Sequence, residues 1–98
     1  MRVEVHPEVT EEIAESSDYY DRQRRGLGLQ WISEFEATVR RIEEAPKRWE
    51  MLERGVRRHS FKRFPYCILY RVSSDTLRIV AVKHHSRDPD YWKHRLES

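Results

Sequence analysis

The sequence has few of the residues on which several kinds of function depend. It has one cysteine, Cys67, inside the apolar stretch YCILYRV, so no disulfide framework and no thiolate zinc site can be built. A reducing compartment, the cytoplasm, is the expected location. It has three glycines, two of them at a turn in RRGLGLQ, and none in a phosphate-cradling loop. No apolar run approaches the ~20 residues of a membrane span, and MRVEVHPEV lacks the apolar core of a signal peptide, so neither membrane insertion nor export is expected. Ser60, Ser73, Ser74 and Ser86 have no glycine elbow around them, and Cys67 falls mid-strand, which sets nucleophilic catalysis aside.

What the chain has is charge. Charged residues make up 37% of it and apolar residues 38%, with a mean hydropathy of -0.92, which predicts a thin core under a crowded surface. Ninety-eight residues suit one small domain spanning 1–98, in which a protein partner covering one face adds much of the stability. The net charge of +2 hides an asymmetry: acids dominate the first half and bases the second. The stretch RGVRRHSFKRF contains no acid at all. It reads either as a solvated face or as a basic surface for phosphate or an acidic protein.

Periodicity predicts the elements. RVEVH alternates, with Val3 and Val5 on one face, and ends where Pro7 opens a helix. From Pro7 to about Gln23, Val9, Ile13, Ser17 and Tyr20 recur at helical spacing; after RRGLG, Trp31, Phe35, Val39 and Ile42 form a second stripe that Pro46 stops. So short a glycine turn predicts an antiparallel helical hairpin. Beyond Pro46 the period becomes two: VRRHSFKRF, YCILYRV and TLRIVAVKH read as three strands of an antiparallel meander, divided at Pro65 and at SSD. Tyr66, Ile68, Tyr70 and Val72 share one strand face, and Cys67, Leu69 and Arg71 the other. The fold class is therefore α+β: an N-terminal strand, a helical hairpin and a three-stranded meander, with the helices on one face of the sheet and the other face partly open.

Chemistry concentrates in HHSRDPDYW. A metal site from His84, His85, Asp88 and Asp90 is disfavoured, because neighbours on a strand point to opposite faces and no HExxH-like spacing is present; no metal or other cofactor is expected. Metal-free cleavage of RNA by its own 2′-hydroxyl needs a base, an acid and cations around the phosphate. Arg58, Lys62, Arg71, His85, Arg87 and Tyr91 can supply them. The same cations, with Arg57 and Arg63, can equally bind an acidic partner, or Arg87 can pair with an aspartate and hold the tail down. Tyr91 and Trp92 have enough apolar surface to pack that tail on the domain, with Pro89 fixing the turn.

HPEV at the start, YYDRQRRGLG at the helix turn, KRFPYCILYRV and VKHHSRDPDYW at the end, in this order over essentially the whole chain, resemble the RelE/ParE superfamily of toxins, most of all its ParE-like branch. The resemblance implies a growth-inhibiting toxin of a type II toxin–antitoxin module, often serving plasmid stabilization, whose cognate antitoxin wraps its basic surface in a hetero-oligomer. It implies one of two targets: DNA gyrase for ParE-type members, or messenger RNA on the ribosome for the RelE-type endoribonucleases. Laid on the ribonuclease pattern, Arg58 keeps one cation, Ser60 stands where a lysine is used and Cys67 where an arginine is used, while His85 and Tyr91 fall at the tail arginine and tyrosine. Each missing phosphate-stabilising group is worth about 3 kcal/mol of transition-state energy. The resemblance therefore favours gyrase and keeps mRNA cleavage, with His85, Tyr91 and Arg58 as its catalytic residues, as the alternative.

Overall fold

In the computed structural model, which describes residues 1–97, strand β1 (Arg2–Val5) leads into helices α1 (Pro7–Gln23) and α2 (Leu27–Glu44), followed by strands β2 (Glu50–Met51), β3 (Arg57–Ser60), β4 (Tyr66–Ser73) and β5 (Thr76–His84) and a 3-10 helix at Lys93–Glu97. The strands form one mixed sheet in the order β1-β5-β4-β3-β2; β1 runs parallel to β5 and every other pair is antiparallel. The expected α+β fold is present, with both helices on one face.

The local chemistry explains the boundaries. The His6 Nδ1 accepts the Glu8 N–H at 3.1 Å, capping α1 just ahead of Pro7. Between the helices Gly26 caps α2 at φ 90°, in the left-handed region, while Asp21 Oδ1 accepts its N–H at 2.9 Å. At Gly28 the helices cross so closely that a Cβ would lie 2.5 Å from the Ser17 carbonyl oxygen. Trp31, fully buried, fills the helix–sheet layer with edge contact to Tyr66 at 5.3 Å and tilted contact to Phe61 at 5.4 Å.

Three features depart from the predicted elements. The second expected strand, 56–64, stops at Ser60, because Phe64 adopts φ 72° and turns the chain before Pro65. A two-residue strand, β2, extends the sheet beyond β3. The face predicted to stay partly open is covered by the C-terminal segment: Trp92 is buried against Val56, Cys67, Leu69, Val80 and Ala81. A bulge makes room for this. Tyr70 pairs with Ile79 and Leu69 with Ala81, so Val80 has no opposite residue on β4, and both Val80 and Ala81 join the cluster beneath Trp92.

Two histidines, the buried His6 and the half-buried His59, sit where protonation is opposed. Burial, then the positive charge of Arg95, lowers the His6 pKa; burial, then Arg41, lowers that of His59. A group whose pKa is lower folded than unfolded contributes stability that is complete above the unfolded value of about 6.5 and is lost as pH falls through the folded value. The denaturant midpoint is therefore expected to fall between about pH 7.5 and pH 5.5, before carboxylates titrate. His6→Asn keeps a capping acceptor and removes one of the titrations, so it should flatten the dependence; an unchanged slope in that variant would remove His6 from the account.

Candidate functional site

The tail residues converge on one carboxylate. Glu12 sits on α1 one turn after Val9, on the face turned to the sheet, and is 6% exposed. Its Oε1 accepts the backbone N–H of Val82 at 3.0 Å and Arg95 Nη1 at 3.1 Å. Its Oε2 accepts Arg95 Nη2 at 3.0 Å, Tyr91 Oη at 2.6 Å and Arg87 Nη1 at 3.2 Å. Arg95 Nη1 also donates to the Val80 carbonyl at 3.0 Å. These bonds answer a backbone problem. The chain leaves the sheet after β1, the last bond being His6 N–H to the Ile79 carbonyl at 3.0 Å, so among the described residues the second half of β5 has no neighbouring strand on that side. Glu12 and Arg95 take the place of the missing strand.

Tyr91 is held within this cluster. The Arg87 and Arg95 guanidinium carbons lie 3.5 and 5.0 Å from its ring centroid. Burial, then the hydrogen bond to Glu12, raises its phenol pKa well above the ordinary value. Arg87 does tie the tail down, but to Glu12 of α1 and not to an aspartate.

On the tail side of the sheet lies a cleft of about 210 Å³. Its floor is Cys67, Leu69 and Trp92, and Arg58, Lys83 and His85 stand at its rim. Arg58 is engaged with Glu50, and Lys83 Nζ donates to the His84 carbonyl at 3.2 Å. Burial raises the Cys67 thiol pKa, against the opposing effect of Lys83 and Arg58. Of the residues expected to serve cleavage, the structure therefore brings Arg58 and His85 together at the cleft, and turns the Tyr91 hydroxyl to Glu12 instead.

The two adjacent histidines part, although β5 ends at His84 and His85 begins the turn after it. His84 packs edge-on to Tyr66 at 5.1 Å on the helix side, and its Nδ1 accepts the Ser86 N–H at 3.0 Å. His85 belongs to the cleft on the other side. Among the described residues no three His, Cys, Asp or Glu side chains converge on a point that would hold a metal ion.

The basic residues are likewise divided. Arg57 donates to the Trp49 carbonyl at 2.8 Å; Arg63 bonds Gln30 and Glu34 of α2, both at 3.1 Å; Arg71 holds the Arg54 carbonyl through Nε and Nη2 at 2.9 and 2.7 Å. Lys62 is exposed in the turn after β3. Sequence reasoning missed Glu12 and Arg95. Glu12 carried a signal, a carboxylate within the stripe of Val9 and Ile13; Arg95, in a tail of mixed charge, carried none.

Residues 3–89 match the family described as the ParE toxin of the type II toxin-antitoxin system, parDE. The chain belongs to the ParE toxin family. It is the toxin component of a type II toxin–antitoxin system, and the matched residues hold the sheet and the helical hairpin described above. A chain of the chromosomal ParDE toxin–antitoxin system from P. aeruginosa has the same fold, with a TM-score of 0.75 over 86% of this chain and 95% of that one, at 15% identity. No curated protein matches the chain by sequence. None of the described helices of this ParE-family toxin is long and apolar enough to cross a membrane.

Proposed function

We propose that this toxin inhibits growth by acting on DNA gyrase, and that a cognate antitoxin neutralises it by covering its basic surfaces in a hetero-oligomer. The observation that carries the choice of target is the state of the groups that mRNA cleavage would use. Tyr91 is committed to Glu12 with a raised pKa, Arg58 is engaged with Glu50, and uncharged Ser60 and Cys67 stand where that chemistry employs cations. A phosphoryl-transfer transition state at this surface would meet fewer free cations than that chemistry employs. Binding to a protein target needs no such groups.

The alternative, a metal-independent endoribonuclease, is favoured by one observation: Arg58, Lys83 and His85 share the rim of one cleft. The two readings differ in what fails first in a cell. Induction of the full chain without antitoxin is expected to stop thymidine incorporation within minutes, while methionine incorporation continues. His85→Ala is expected to leave that toxicity intact. Early loss of methionine incorporation, abolished by His85→Ala, would transfer the function to mRNA cleavage.

A further inference from the structure

β1 forms one edge of the sheet, and among the described residues no strand pairs with its outer side. Arg2 and His6 donate their N–H groups to the carbonyls of Asp75 and Ile79 at 2.8 and 3.0 Å, so the even-numbered residues turn their backbone groups inward to β5. Val3 and Val5 therefore turn theirs outward, unused. The side chains sort by the same alternation. Met1, Val3 and Val5 are 52%, 37% and 43% exposed, and the two valines line a groove with Phe35 and Val39 of α2. Arg2 and Glu4 share the opposite face, 3.5 Å apart. An unpaired apolar edge of this kind is a template for another strand.

We propose that the occupant is a second copy of the chain, its β1 antiparallel to this one about a two-fold axis through Val3. The register follows from the residues. Outward backbone groups must meet outward ones, which leaves pairings centred on Arg2, Val3 or Glu4 within the strand. Centring on Arg2 sets Arg2 against Arg2, and centring on Glu4 sets Glu4 against Glu4; like charges directly opposite are destabilising. Centring on Val3 sets Arg2 against Glu4 of the second copy twice over, Val3 against Val3, and Met1 against Val5. Only this register satisfies backbone, charge and apolar surface together. The result is a continuous sheet across two chains. So short a strand makes a small interface, of the weak and concentration-dependent class. The pairing is independent of the cellular target.

Sedimentation of the purified full chain over a rising concentration series is expected to show the mass climbing from 12.0 kDa toward twice that value. Val3→Pro removes an outward N–H and none of the bonds to β5, so it is expected to keep the circular dichroism spectrum and melting temperature while remaining monomeric throughout. Arg2→Glu and Glu4→Arg each place like charges in opposition and should weaken self-association about tenfold. Mixing these two variants makes both charge pairs opposite again and should restore the dimer. A chain that stays monomeric at every concentration, or a dimer that survives Val3→Pro, overturns the proposal. If Glu4→Arg unfolds through loss of its contact with Arg78, Val3→Pro decides alone. Should the chain be monomeric and Val3→Pro weaken antitoxin binding, the edge serves an antitoxin strand and the proposal falls.

Discussion

Glu12→Ala is expected to lower the unfolding free energy by about 3–5 kcal/mol, the cost of stripping one partner from a buried ion pair. Natural domains of this size are stable by about 5–15 kcal/mol, so the variant should sit near the limit of folding at ambient temperature. The size of the effect comes from what is left behind. Arg95, whose side chain is 3% exposed, would keep its charge in a buried site, and the Val82 N–H would lose its acceptor. Tyr91 and Arg87 would lose theirs as well. Glu12→Ala combined with Arg95→Met should cost markedly less than the sum of the two single changes, because the pair leaves together. Urea unfolding of the four proteins measures this. A loss below about 1 kcal/mol for Glu12→Ala, the range of an exposed ion pair, would show that the cluster does not hold the tail.

That cluster also marks where the sequence stops being informative. The order of elements was legible because each carries its own period: three to four residues in Val9–Ile13 and Trp31–Phe35–Val39, two in Tyr66–Ile68–Tyr70. The antiparallel hairpin was legible in its glycines, and the crossing at Gly28 gives the reason. The end of β3 was not, since KRF is compatible with a strand and only the turn into Pro65 breaks it. Nor was the parallel pairing of β1 with β5, which joins residues more than seventy positions apart.

The candidate site was legible as a composition and not as an arrangement. RGVRRHSFKRF reads as one basic block, yet Arg57 turns to the Trp49 carbonyl, Arg58 to the cleft and Arg63 to α2, because strand alternation and the turn after Ser60 distribute consecutive side chains to different neighbours. HHSRDPDYW divides in the same way. His85 lines the cleft, Arg87 and Tyr91 cap the sheet edge at Glu12, and Trp92 closes the far face. With His84 on the helix side, a single motif therefore contributes to both faces of the sheet and to its edge, and only Arg87, Pro89 and the aromatic residues announced a structural role.

Trp92→Ala should then separate the tail's packing from its electrostatics. Removing a buried Trp is expected to cost about 3–5 kcal/mol, since the rigid sheet beneath it cannot collapse into the space. Trp92 is 2% exposed over Cys67, Leu69, Val80 and Ala81. Its loss also opens the thiol below. Cys67 is itself 2% exposed and its pKa is raised by burial, so in the intact protein it should react slowly with a maleimide, both for lack of access and for lack of thiolate. In Trp92→Ala both obstacles weaken, and labelling at neutral pH should accelerate by an order of magnitude or more. Glu12→Ala matched to the same loss of stability provides the control: if the tail detaches as one unit, both variants expose Cys67 equally, whereas local packing by Trp92 makes its own variant the faster. Fast labelling already in the intact protein, with unchanged stability in Trp92→Ala, would mean that the tail does not seal this face of the sheet, and that the cleft bounded by Arg58, Lys83 and His85 is open to its floor.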